Sequence, residues 1–156
     1  MAGEVEKLFV SWAEFGELER RLTEKVESKY HSIDVIVGIA RGGMPSAISL
    51  SNWFNLPLDF IRTRSYNGIN ERGTPELLSG LHYDINDKTV LLVDDISDSG
   101  DVLRFAINYI EKEFRPKNVY TATLFIKQGT GFKPDVYLEE TDKWVVFPWE
   151  QAPNVK

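Results

Sequence analysis

Two adjacent carboxylates at the end of an apolar run form the chemical centre of this sequence. Asp94 and Asp95 follow Val90-Leu91-Leu92-Val93 and lead into Ile96-Ser97-Asp98-Ser99-Gly100-Asp101-Val102, a stretch rich in short hydroxyls and acids around one glycine. Ionised carboxylates only accept hydrogen bonds, so a neighbouring pair suits a ligand that presents hydroxyls. Hydroxyl side chains and a glycine ahead of a helix suit a phosphate, because free main-chain N–H groups at a helix start point at the anion. A ribose phosphate satisfies both halves. A calcium loop does not: it requires a bidentate Glu at its twelfth position, and counting from Asp95 that position is Ala106. A second candidate anion site is Ala40-Arg41-Gly42-Gly43-Met44-Pro45, where Arg41 offers a planar fork of donors beside two glycines.

Elements of regular structure must hold these groups in place. The apolar run at 90–93 has no polar alternation, which suits a strand covered on both faces, and the carboxyl ends of such strands are where α/β sheets collect ligands. Strand alternation there sends Asp94 and Asp95 to opposite sides. Val102, Leu103, Phe105, Ala106, Ile107 and Ile110 predict a helix after the turn. Ser11 and Glu14 have the spacing of a capping box, and Phe15, Leu18, Leu22 and Val26 continue it as an amphipathic helix over 12–28. Its charges, Glu17, Glu19 and Arg20 among them, are read as a solvated face. A strand at 33–39 runs into the Arg41 turn, and a helix follows over 45–54. Further strands are predicted at 58–63 and over 117–126, with a polar connection at 64–75 long enough to be a lid. Lys127 closes the later strand, where it can donate to an oxygen on a base. Trp144 belongs to an aromatic segment reaching Glu150 and can stack on a flat base, while main-chain groups of Val145 reach the base edge.

The chain has 156 residues, 42% hydrophobic and 27% charged, which fits one domain over 1–156. A net charge of −6 and a pI near 5.0 argue against nucleic acid as the main partner. No apolar run approaches the roughly 20 residues that span a bilayer, and no signal-peptide pattern opens the sequence, so no membrane partner is expected. The absence of cysteine fits a cytoplasmic protein and removes thiol chemistry. His31 and His82 stand alone, which disfavours a histidine-based zinc site.

The run Val-Leu-Leu-Val-Asp-Asp-Ile-Ser-Asp-Ser-Gly resembles the phosphoribosyl-pyrophosphate motif of the type I phosphoribosyltransferases. Arg41-Gly42-Gly43 is similar to that family's pyrophosphate loop, Ser65-Tyr66 to the Ser-Tyr pair of its flexible loop, and Arg72 to a pyrophosphate-contacting arginine of some bacterial members. Trp144-Val-Val-Phe-Pro-Trp-Glu150 resembles the purine-binding segment of the xanthine-guanine type. The resemblance covers roughly 33–150. It implies an α/β type I phosphoribosyltransferase fold, a mainly parallel sheet with helices on both faces, and a small C-terminal hood from 127–156 that binds the base. The implied reaction moves ribose 5-phosphate from phosphoribosyl pyrophosphate to a 6-oxopurine (hypoxanthine, guanine or xanthine) in nucleotide salvage. The implied cofactor is Mg2+ near Asp95, and the implied assembly is a homodimer or homotetramer.

On this resemblance the residues at 94–102 bind phosphoribosyl pyrophosphate together with Arg41, Gly42, Gly43, Ser65, Tyr66 and Arg72. Asp98 is the general acid/base and faces the purine, which Lys127, Trp144 and Val145 also bind. Two positions depart from the family turn, which usually reads Asp-Thr-Gly-x-Thr. Val102 loses a hydroxyl, and Asp101 adds a negative charge that is expected to turn to solvent. Two other readings remain open: a regulator that senses phosphoribosyl pyrophosphate without catalysis, and a phosphoribosyltransferase for another base. The acidic charge and the base pocket weigh against the first, and Lys127 with the Trp144 segment against the second.

Overall fold

The computed structural model describes residues 3–66 and 73–151. In chain order the elements are β1 (Lys7–Phe9), α1 (Trp12–Lys29), β2 (Val35–Ala40), α2 (Met44–Phe54), β3 (Leu58–Tyr66), β4 (Thr74–Ser79), β5 (Thr89–Val93), β6 (Ile96–Ser97), α3 (Asp101–Glu113), β7 (Asn118–Ala122), β8 (Phe125–Lys127), β9 (Glu139–Thr141) and β10 (Trp144–Val146), followed by a 3-10 turn at Pro148–Glu150. The main sheet has the order β4-β3-β2-β5-β7. Only the β3–β4 edge pair is antiparallel.

Side-chain alternation in the central strands divides the core in two. Ile36, Leu91 and Val93 pack with Leu18, Leu22 and Val26 of α1 and Ala47 and Leu50 of α2. Val35, Val37, Ile39, Val90 and Leu92 face the other way, onto Leu103, Ala106 and Ile110 of α3. Helices therefore cover both faces, which is why these strands read as continuous apolar runs. At Gly38 an added Cβ would stand 2.7 Å from the Ala47 Cβ, so the glycine lets α2 lie close against the sheet.

The capping box of α1 forms as its spacing predicts: Glu14 N–H donates to Ser11 Oγ at 3.1 Å and Ser11 N–H to Glu14 Oε2 at 2.7 Å. Glu19 departs from the expected solvated face. It is buried against α2, where Ser46 Oγ donates to its carboxylate, and burial raises its pKa. The predicted strand over 117–126 is two strands. Its first part, β7, completes the main sheet. The chain then breaks at Thr123-Leu124, and β8 joins a separate parallel sheet of order β6-β8-β9. The main-chain N–H groups of Leu124 and Phe125 both donate to Asp95 O there, which turns the strand off the sheet beside the acid pair. The expected loop at 64–75 is shorter than predicted, because β3 runs on to Tyr66 and β4 pairs with it from Thr74. Arg72 and the side chain of Tyr66 lie outside the described residues.

A further pairing has no local trace in the sequence. Strand β1 runs parallel to β10, with Lys7 opposite Trp144 and Phe9 opposite Val146. Among the described residues no helix is long and apolar enough to cross a membrane.

Candidate active site

The three turns that leave β2, β5 and β8 open at the same end of the molecule and line a trough of three adjoining compartments. The first, about 820 Å³, has Arg41, Gly42, Asp94, Asp95, Val102 and Glu150 among its walls. The middle one, about 220 Å³, shares Asp94, Asp95 and Val102 with it and is closed by the turn from Ser97 to Gly100. The third, about 850 Å³, shares Asp98 and Ser99 with the middle one and is bounded by Ser65, Arg104, Lys127 and Trp144. Ser65 thus lies with the predicted base-binding residues rather than beside Arg41.

The acid pair does not split to opposite sides. Asp94 N–H still donates to Ala122 O at 3.1 Å at the end of the β5–β7 ladder, and both acids line the same two compartments. Asp95 N–H donates to Asp94 Oδ1 at 2.9 Å and Ile96 N–H to Asp95 Oδ1 at 2.7 Å, which fixes both carboxyls. Burial raises the pKa of each; the charge of Asp95 adds to the effect at Asp94, and that of Glu150 adds at Asp95. The pair therefore holds negative charge at a cost that a cation or a set of hydroxyl donors would relieve. No group of three or more possible metal-ligating side chains occurs among the described residues. Two carboxylates open to a cavity nonetheless fit Mg2+, which is ordinarily held by one or two protein carboxylates and otherwise by substrate oxygens and water.

The Arg41 turn is tight because its glycines meet the neighbouring strand. A Cβ at Gly42 would lie 2.2 Å from Asp95 Oδ2, and one at Gly43 would lie 2.4 Å from Val93 O. The Ala40–Arg41 peptide is cis. Gly43 N–H donates to Ile39 O at 2.8 Å and Met44 N–H to Arg41 O at 3.0 Å, and Pro45 has no N–H. The start of α2 therefore offers few donors, and the groups at this turn that could donate to an anion are the exposed Arg41 guanidinium and the main chain around Gly42.

Between the middle and third compartments, Gly100 has φ 90° and caps α3 without a side-chain hydrogen bond. Its Cα faces Phe132, which a Cβ would meet at 2.4 Å. Ser99 Oγ accepts from Asp101 N–H at 3.2 Å. Ser97 is buried and donates to Phe132 O at 2.8 Å, so its side chain serves the fold. Ile96 pairs with Phe125 in the second sheet. Asp98 is exposed on the wall that joins the middle and third compartments.

Lys127 is no free-swinging terminal lysine. Its Nζ donates to Asp142 O at 3.0 Å and to Lys143 O at 2.5 Å, leaving a third N–H for the cavity. Trp144 is 56% exposed beside it. Trp144 N–H donates to Glu6 O and Val146 O accepts from Val10 N–H, so strand alternation turns the N–H and C=O of Val145 away from β1. The Val145 side chain itself lies in the core. Sequence reasoning missed Arg104, whose helical position reads as ordinary solvated surface, and Glu150, whose charge reaches Asp95.

A family model described as phosphoribosyl transferase domain matches residues 11–155. The xanthine-guanine phosphoribosyltransferase of Gluconobacter oxydans is 31% identical over 150 residues, covering 92% of this chain and 84% of that protein. The enzyme of the same name from Cereibacter sphaeroides is 30% identical over 122 residues, with 75% and 69% covered. The crystal structure of purine phosphoribosyltransferase from Pyrococcus horikoshii superposes with a TM-score of 0.84 at 34% identity, covering 97% of this chain and 98% of that one. With a match over nearly its whole length and the acid pair, glycine turn and helix cradle in one trough, the chain belongs to the phosphoribosyl transferase domain family and is a pentosyl-transferring enzyme.

Proposed function

We propose that this enzyme transfers the 5-phosphoribosyl group of phosphoribosyl pyrophosphate to a ring nitrogen of a 6-oxopurine, releasing pyrophosphate, as a step of purine salvage. The observation that carries the proposal is the position of Asp98, on the wall common to the compartment of the phosphate turn and the compartment of Lys127 and Trp144. A ribose carbon and a base nitrogen that are to bond must meet at that junction.

Each side chain then has a role that its geometry allows. Arg41 and the main chain at Gly42 hold the departing pyrophosphate. Asp94 and Asp95 accept from the ribose hydroxyls and stabilise positive charge as it develops on the ribose. Mg2+ would be held by Asp95, with Asp94 beside it, and would supply neutralisation of the leaving group. Asp98 accepts or shares a proton of the purine imidazole ring, a contribution of typically about a hundredfold or more. Lys127 donates its remaining N–H to the 6-oxo oxygen, Trp144 stacks on the ring, and the Val145 main chain reads its edge. The segment 127–156 works as a hood within a single domain, and the active form is a cytoplasmic homodimer or homotetramer. Sedimentation of the purified protein at several concentrations tests the assembly.

The test of function is product formation from phosphoribosyl pyrophosphate, Mg2+ and each of hypoxanthine, guanine, xanthine, adenine, uracil and orotate, read by chromatography. Nucleotide from one or more 6-oxopurines is expected. Nucleotide from uracil or orotate alone would overturn the substrate, and binding of phosphoribosyl pyrophosphate without turnover on any base would overturn catalysis.

A further inference from the structure

The first turn of α2 is part of the wall of the first compartment, and no side chain of its own fixes where it stands. Met44 and Pro45 line that compartment next to Arg41 and Gly42. Gly43 caps the helix without a side-chain hydrogen bond. Toward the sheet the turn is stopped by main chain: Gly43 N–H donates to Ile39 O at 2.8 Å, and a Cβ at Gly43 would meet Val93 O. From the neighbouring helix α1 it is held by one group. Ser46, the residue after Pro45, is fully buried and donates through Oγ to the Glu19 carboxylate. Among the described residues this is the only side-chain hydrogen bond that reaches 39–47 from elsewhere in the chain.

A carboxylate is a costly group for this task. Glu19 is 6% exposed, its Oε2 has no hydrogen-bond partner among the described residues, and α2 carries no charged side chain to face it. Leucine at 19 and alanine at 46 would keep the helices in contact without a buried charge, and such apolar replacement of a buried polar pair is ordinarily neutral or stabilising. The pair therefore supplies direction rather than stability. A hydrogen bond fixes the rotation and height of the turn, where apolar packing alone tolerates a slide.

We infer that Glu19 is a positioning residue for the anion turn, acting through Ser46 to hold Met44 and Pro45, and with them Arg41 and Gly42, in place beside Asp95. The inference rests on the phosphoribosyl transfer proposed above and assigns a residue outside the trough to one end of it. Its effect is confined to that end, because no residue of α1 or α2 lines the compartment of Lys127 and Trp144.

The test compares wild type, Glu19→Gln and the double variant Glu19→Leu with Ser46→Ala. It reads thermal unfolding, KM for phosphoribosyl pyrophosphate and for the base, and calorimetric binding of pyrophosphate with Mg2+. Glutamine removes the charge and keeps an oxygen to accept from Ser46 Oγ, so Glu19→Gln is expected to stay near wild type in each measure. The double variant is expected to keep the wild-type Tm or exceed it, while KM for phosphoribosyl pyrophosphate rises and pyrophosphate binding weakens by about tenfold. Its kcat and its KM for the base should not change. A double variant with wild-type affinity for both anionic ligands would overturn the inference, and so would an equal rise in both KM values with a lower Tm, the mark of a general distortion. A loss in Glu19→Gln as large as in the double variant would overturn the route through Ser46. Wild type that binds neither phosphoribosyl pyrophosphate nor pyrophosphate would instead count against phosphoribosyl transfer itself.

Discussion

The same substitution, glycine to alanine, is expected to act in opposite directions at two positions. At Gly43 the new Cβ would stand 2.4 Å from Val93 O, 2.8 Å from Ile39 O and 3.0 Å from Asp94 Cα. All three are main-chain atoms of the central strands or the acid pair, so no flexible side chain can yield. The closest approach is about 1 Å short of the 3.4 Å at which ordinary contact begins, and overpacking of this kind costs about 1–3 kcal/mol. For a domain of this size each kcal/mol lowers Tm by about 2–4 °C. Relief requires the start of α2 to back away from β5, and a misplacement of that order costs about a hundredfold in a positioned reaction. Gly16 is the control: it is exposed within α1, and a Cβ there would meet nothing within 4 Å. Gly16→Ala should stabilise by about 0.4–1 kcal/mol through the unfolded chain. The assay is thermal unfolding of both variants with KM for phosphoribosyl pyrophosphate and for the base. Gly43→Ala should unfold earlier and raise KM for phosphoribosyl pyrophosphate; Gly16→Ala should unfold later with kinetics unchanged. Wild-type KM and Tm in Gly43→Ala would refute the claim that this close approach shapes the anion site.

Further expectations concern the charged groups. Lys127→Met leaves the carbonyls of Asp142 and Lys143 without their donor and removes a charged hydrogen bond worth about 1.5–3 kcal/mol, so kcat/KM for a 6-oxopurine should fall by about tenfold or more while pyrophosphate binding persists. Steady-state kinetics with a titration of pyrophosphate checks it. Asp98→Asn should keep Tm and substrate affinity but lose most turnover, since the side chain is exposed and makes no contact the fold needs; unchanged turnover would remove it from the mechanism. The acid pair predicts a pH effect on stability. Asp95 is raised from 3.8 to about 6, so the folded state binds more protons than the unfolded one, and stability falls as pH rises through that window. The loss is at most about 3 kcal/mol. Asp95→Asn should therefore gain in Tm over wild type at pH 8 but not at pH 4, and a gap independent of pH would contradict the burial argument.

The groups legible in the sequence were those set by short-range pattern. The apolar runs of β2 and β5, the box at Ser11 and Glu14, and the glycines beside Asp95 each leave a signature within a few residues. What was not legible depends on partners far away in the chain. The break at Thr123-Leu124 follows from Asp95 O accepting two main-chain donors, and nothing near 123 announces it. Glu19 looked solvated because its helix is amphipathic on average; Ser46, 27 residues on, makes its burial tolerable. Asp94 and Asp95 were expected to part, yet both line the same two compartments. Arg104 carried no signal of its own, because its partner, the Gly131 carbonyl, lies 27 residues on.

The pairing of Lys7 with Trp144 has a consequence for the order in which the molecule comes into being. A ribosome delivers β2, α2, β5 and α3 before β10, so the turns after β2 and β5 are made before the strand that pairs with β1. Strand β1 must wait, unpaired, until residue 144 emerges. A chain cut short before that point would lack Val145 and Phe147 of the core as well as the partner of β1.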